Sequence, residues 1–135
     1  SWSMKIKTSQ LTSAALDWAV AKCRGFDGLD DDLWLMREGI ADMPLHAYTP
    51  STDWAQGGPI IEREMLDLRK VYSNGRPSTN PYDCWKAEIV FRDEKLVAGD
   101  FFAYGPTPLI AAMRCLIASK LGDEVEVPKE LVCTS

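Results

Sequence analysis

From Lys5 to Leu11 the chain reads KIKTSQL, with polar and apolar positions alternating and β-branched residues among them, which predicts a short first strand. A helix is expected next. Thr12 stands as its N-cap, with Leu11 before it and Leu16 inside it at the spacing of a hydrophobic staple, and the pattern runs to Cys23 and stops at Gly25. At about 100° per residue Leu16, Ala19, Val20 and Cys23 share one face and Trp18 points almost the opposite way. Trp18 therefore needs a second surface, supplied by a packed element or by a partner.

The C-terminal half carries the clearest pattern. CWKAEIVF alternates, RDEK turns, and LVAGDFFAYG returns, so residues 84–105 predict an antiparallel hairpin. Thr107 followed by Pro108 is a helix start, and PLIAAMRCLIASKL continues to Leu121 before Gly122. Only Arg114, Ser119 and Lys120 interrupt its apolar character, so this helix should lie deep against the sheet, and DEVEVPKEL adds a short edge strand ended by Pro128. The fold class expected is α+β: an antiparallel sheet with helices packed on one face or end and a long C-terminal core helix.

The middle is less regular. The segment GFDGLDDDLWLMREGI joins an acidic turn to an apolar run at Leu33–Met36; its aspartates do not fit the EF-hand register, and a solvated turn leading into a strand or helix is the expectation. Pro44, Pro50, Pro59, Pro77 and Pro81 argue against long elements between Asp42 and Asp83, and YSNGRPSTNPYD reads as a loop excursion within the domain. In STDWAQGGPIIERE, Ser51 or Thr52 is expected to cap a single turn, Gly57 to give a left-handed exit, and Gly58 with Pro59 to open a second helix. Turn chemistry leaves Trp54 unexplained. An indole beside a glycine pair that permits close backbone approach suits stacking on a planar ligand, with Asp53 and Gln56 to read its polar edges; burial in the core is the competing expectation. A second anion-binding candidate is the helix start at Thr107, with Arg114 two turns in.

Composition narrows the function classes. The 135 residues fit one domain, and 46% hydrophobic residues are enough to fill a core. Ser1, Trp2 and Ser3 precede the first methionine and read as an appended remnant, leaving 4–135 as a single globular domain. A net charge of −5 argues against a protein that covers a nucleic-acid backbone, and no apolar run is long enough for a membrane span, so a cytoplasmic protein is expected. Cys23, Cys84, Cys115 and Cys133 form no CxxC pair and His46 stands alone, so free thiols, no metal and no cofactor are expected. Glu62 and Glu64 lie two apart and splay to different helix faces, and no nucleophile-elbow context is present, so the reading leans away from an enzyme.

MKIKTSQLTSAALDWAVAKCRG, YTPSTDWAQGGPIIERE and GPTPLIAAMRCLIASKLGDEVEVPKEL together resemble the NinX family of small phage and prophage proteins, a family without a defined function. The resemblance implies a phage-encoded accessory protein acting in the bacterial cytoplasm and supplies no reaction. The residues themselves suggest a non-enzymatic binder of a small anionic or nucleotide-like ligand, such as a host metabolite or immune signal, held by Asp53, Trp54, Gln56, Gly57, Gly58, Thr107 and Arg114. The alternative is a module that binds and modulates a host protein; a homo-oligomer stays open, and an RNA-binding fold ranks lower because Thr107, Pro108 and Leu109 supply no basic residue at the last helix start.

Overall fold

The computed structural model describes residues 2–89, 92–93, 96–97 and 101–132. Its strands of four or more residues are β1 (Ser3–Lys7), β2 (Trp34–Arg37), β3 (Ile40–Pro44), β4 (Asp67–Lys70), β5 (Trp85–Ile89), β6 (Phe101–Gly105) and β7 (Glu124–Pro128). Its helices are α1 (Ser13–Cys23), α2 (Trp54–Glu64) and α3 (Pro108–Leu121). The pairings are antiparallel throughout: β6, β5 and β4 lie side by side in that order, β1 pairs with β7, and β2 with β3. With α3 laid on the sheet, this is the α+β architecture read from the sequence.

The C-terminal helix is central because its sequence leaves it almost no polar face. Thr107 Oγ1 accepts from Ile110 N at 3.1 Å, Pro108 opens the helix, and Gly122 closes it at φ +93°. Ala111, Ala112, Met113, Cys115, Leu116 and Ile117 are fully buried, touching β5 and β6 on one side and α1 on the other. Burying Leu116 or Ile117 is worth roughly 1.5–3 kcal/mol each. Close approach of β6 depends on Gly105, where a Cβ would lie 2.7 Å from Ala111 N.

At the N-terminus β1 starts at Ser3, within the residues set aside as a remnant, and ends at Lys7; Thr8–Gln10 is a 3₁₀ turn where strand was expected to continue. Thr8 is the cause: its hydroxyl donates to Gly122 O at 2.6 Å and its N–H to Asp123 O at 2.8 Å, which turns the chain toward the end of α3. In α1 Leu11 and Leu16 are buried as the staple requires, while Thr12 makes no side-chain cap. Trp18 is also buried, so its second surface comes from the chain itself, with Lys22 Nζ 4.7 Å from the ring centroid.

The acidic segment is the expected turn leading into a strand, and two other middle segments differ from expectation. The acidic turn opens a hairpin: Asp30 Oδ1 accepts from Asp32 N and Trp34 N, and the chain enters β2. YSNGRPSTNPYD contains a small hairpin in which Tyr72–Ser73 pair with Arg76–Pro77 around Asn74 (φ +54°) and Gly75 (φ +77°), the two positive-φ positions of a type I′ turn. Residues 54–64 form one helix in place of a turn followed by a second helix. Asp53 caps it through Ala55 N at 3.0 Å, and Pro59 lies inside it, where the carbonyl of Ala55 loses its donor but belongs to an exposed residue that water can reach. In the predicted 84–105 hairpin β5 and β6 pair in register, and Arg92–Asp93 pair with Leu96–Val97; the turn positions 94–95 lie outside the described residues.

Candidate functional site

Two helix N-termini converge. The loop before α2 is folded under itself: Thr52 N and Asp53 N both donate to Thr49 O, and Ser51 N donates to Asp17 Oδ1 of α1 at 2.9 Å. That anchoring seats Gly57 against Pro50 and Leu109, where a Cβ would come within 2.4 Å of Pro50 O and 2.6 Å of Leu109 Cδ2. Glycine here therefore brings the start of α2 onto the start of α3. Between them lies a groove of about 200 Å³ lined by Ser51, Thr52, Trp54, Thr107, Pro108 and their neighbours.

Trp54 opens this groove with 54% of its surface exposed, so it is not a core plug. Few backbone donors of the residues around the groove are unspent. Ile110 N is taken by the Thr107 cap, Pro108 has no N–H, and Ala55 N is taken by Asp53; Trp54 N and Leu109 N have no partner among the described residues. The Ser51 hydroxyl, 1% exposed, has no well-formed hydrogen bond there either. Behind it Asp17 is buried, and burial pushes its carboxyl above the ordinary range while the hydroxyl and backbone N–H of Ser51 pull the other way.

Of the seven residues singled out in the sequence, Trp54 and Thr107 meet in the groove. Asp53 is spent on its cap, and Gln56 on the preceding loop: its Oε1 accepts from Thr49 N at 2.9 Å, and its Nε2 donates to Ala47 O, Thr49 Oγ1 and Asp53 Oδ2. Gly57 is a packing residue and Gly58 faces open space. Arg114 lies inside the molecule, away from the groove, donating from Nε to Leu11 O at 3.0 Å and from Nη1 to Tyr104 O at 2.9 Å. It ties the start of α1 to β6, and burial lowers its pKa, with Asp83 opposing.

A larger groove of about 730 Å³ sits at the edge of β6, lined by Lys7, Asp83, Phe102, Tyr104, Asp123 and Glu124 among others. The sequence reading missed it because its walls come from four separated segments. The signal present was the alternation in FFAYG, which puts Phe102 and Tyr104 on one face. Among the described residues no three His, Cys, Asp or Glu are placed to hold a metal ion, and no helix is long and apolar enough to cross a membrane.

Residues 7–120 match the family model described as bacteriophage P22, NinX. No curated protein matches the sequence. Among solved structures, a phage protein from Bacillus cereus ATCC 14579, determined at 2.0 Å, is similar with a TM-score of 0.52 and 15% identity, covering 82% of this chain and 90% of that one. At that identity the likeness concerns the fold.

Proposed function

Because the chain belongs to the family of the bacteriophage P22 protein NinX, we propose that it is a phage accessory protein which binds a small nucleotide-like ligand in the host cytoplasm and sequesters it, without catalysis. A host metabolite or an immune signal is the kind of ligand meant, the latter making the protein a counter-defence factor. The observation that carries this reading is the exposed Trp54 indole standing over a groove where two helix N-termini meet. Among the described residues no Lys or Arg lines that groove, so an anionic group would rely on the Trp54 and Leu109 N–H groups and the two helix dipoles. The planar part of the ligand should therefore contribute most, and a groove of about 200 Å³ suits one ring with its substituents better than a whole nucleotide.

Calorimetry and thermal shift with mono-, di- and cyclic nucleotides test the reading. Trp54→Ala should leave the melting temperature of the free protein nearly unchanged, because the side chain is exposed, while weakening binding by roughly 1–3 kcal/mol, the range of base–aromatic stacking. Absence of binding by every nucleotide, or equal binding by the variant, would sink it.

A further inference from the structure

At about 100° per residue Gln56, Pro59 and Ile60 lie on the face of α2 opposite Trp54. They line a separate groove of about 430 Å³, into which the cap of α1 brings Arg24, the β2–β3 hairpin brings Arg37, and the loop before α2 brings Tyr48. Its charge differs from that of the Trp54 groove. Two cations and one carboxylate, Asp42, stand in the lining, in a chain whose net charge is −5.

The Arg37 guanidinium is fixed on several sides. It lies over the Phe26 ring at 3.9 Å from the centroid, its Nε donates to Asp42 Oδ2 at 3.0 Å, and its Nη1 donates to Arg24 O at 3.5 Å. Gly25, at φ +101°, leaves room for Nη1, since a Cβ there would come within 2.8 Å of it. These contacts account for Nε and Nη1 and leave Nη2 unspent among the described residues. Arg24 is the converse case. Only 26% of its side chain is exposed, yet its guanidinium makes no hydrogen bond among the described residues, its ion pair with Glu64 spanning 3.9 Å. Glu64 is also shared with Lys120 at 3.8 Å, so one carboxylate answers two cations. The Tyr48 hydroxyl likewise has no hydrogen-bond partner among the described residues. Burial pushes its pKa up, Arg24 and Arg37 pull the other way and Asp17 adds to the rise, which puts the phenol within electrostatic reach of both guanidinium groups.

We propose that this groove binds the oxyanion of a small organic acid, a phosphate monoester or a carboxylate, on the unspent N–H groups of Arg24 and Arg37, with the Tyr48 hydroxyl as a further donor. Either head group presents two or more oxygens to a planar fork of N–H donors, the geometry in which arginine binds best. Arg37 is already ordered, so little side-chain freedom is lost on binding. The charge of Asp42 is met by Arg37 Nε, and the guanidinium of Arg24 supplies the surplus. A bare inorganic ion would leave most of the volume to water, whereas an organic anion sets its apolar body against Met43 and Ile60.

The test is an NMR titration of the isotope-labelled full chain with phenyl phosphate, benzoate and phenol. One or both anions should bind and shift the amides of Gly25 and Tyr48, the stronger naming the head group, with phenol weaker than it by about tenfold or more. Arg24→Gln should lower the affinity for that anion by about tenfold and Tyr48→Phe by about fivefold. Both variants should keep the circular dichroism spectrum, because the Arg24 guanidinium makes no hydrogen bond to the fold and Tyr48→Phe retains the ring that packs edge to face on Phe26. Trp54→Ala should bind as the parent does. Binding of neither anion, phenol equal to the stronger anion, or an affinity that either Arg24→Gln or Tyr48→Phe leaves unaltered overturns the proposal. So does loss of binding in Trp54→Ala, which would put the anion in the Trp54 groove.

Discussion

Asp17 is a carboxylate inside α1, 5% exposed, whose hydrogen-bond donor is the backbone N–H of Ser51. Its pKa is raised in the fold, and the sign of the consequence follows. Below the unfolded value, near 4, both states are protonated and burial has no ionisation cost. As pH rises through the higher folded value, the fold must hold a desolvated charge, so the contribution of this group to stability falls with rising pH. Asp17→Asn keeps an oxygen acceptor for Ser51 N and removes the ionisation. It should melt a few degrees above the parent at pH 7 and converge on it near pH 3.5, measured by calorimetry at both pH values. A variant equally destabilised at both would show that a carboxylate, charged or not, is needed for packing at that position. This polar contact was invisible in the sequence, since Asp17 and Ser51 are far apart and meet only because the loop before α2 folds onto α1.

At the scale of elements, α2 shows where sequence reading worked and where it failed. A helix start near residue 53 was visible, but turn chemistry pointed to a cap at Ser51 or Thr52 in place of Asp53, to an exit at Gly57 and to a second helix opened by Gly58 and Pro59, whereas packing against Pro50 and Leu109 keeps Gly57 inside one helix. The two glycines should therefore respond oppositely to the same substitution. Gly57→Ala puts a methyl group into backbone and should cost about 1–3 kcal/mol, while Gly58→Ala meets nothing and should stabilise by about 0.5–1 kcal/mol, read from urea midpoints. Equal effects would mean that α2 does not sit on α3 as described. The long helix, its cap and the β5–β6 pairing were legible because each rests on neighbours in sequence. The role of Arg114 was not, because a cation two turns into a helix reads the same whether it faces an anion or, as here, the carbonyls of Leu11 and Tyr104. The Asn74-Gly75 hairpin was legible in principle, its dipeptide being the strongest short turn signal, but the surrounding prolines drew the reading toward a loop.

At the scale of the molecule, α3 is the part on which the rest is assembled, touching the sheet, α1 and α2. Its Cys115 reports on that assembly: it is fully buried, its thiol donates to Phe101 O at 3.4 Å, and burial pushes its pKa up to about 12. In native protein at pH 8, iodoacetamide should modify Cys84, which is half-buried, well before Cys115, and Cys115 labelling should accelerate with urea in step with global unfolding, followed by peptide mass spectrometry. Fast labelling of Cys115 without denaturant would show that α3 opens locally. The β1–β7 pairing has a consequence for the order of events during synthesis. β1 leaves the ribosome before α1, α2 and α3, yet its strand partner follows α3, so it must wait through translation of the intervening chain without that partner. The ribbon is then the last piece to close, and the wall it supplies to the β6 groove is missing until it does, so a nascent chain stalled short of Glu124 would carry that groove with one wall absent.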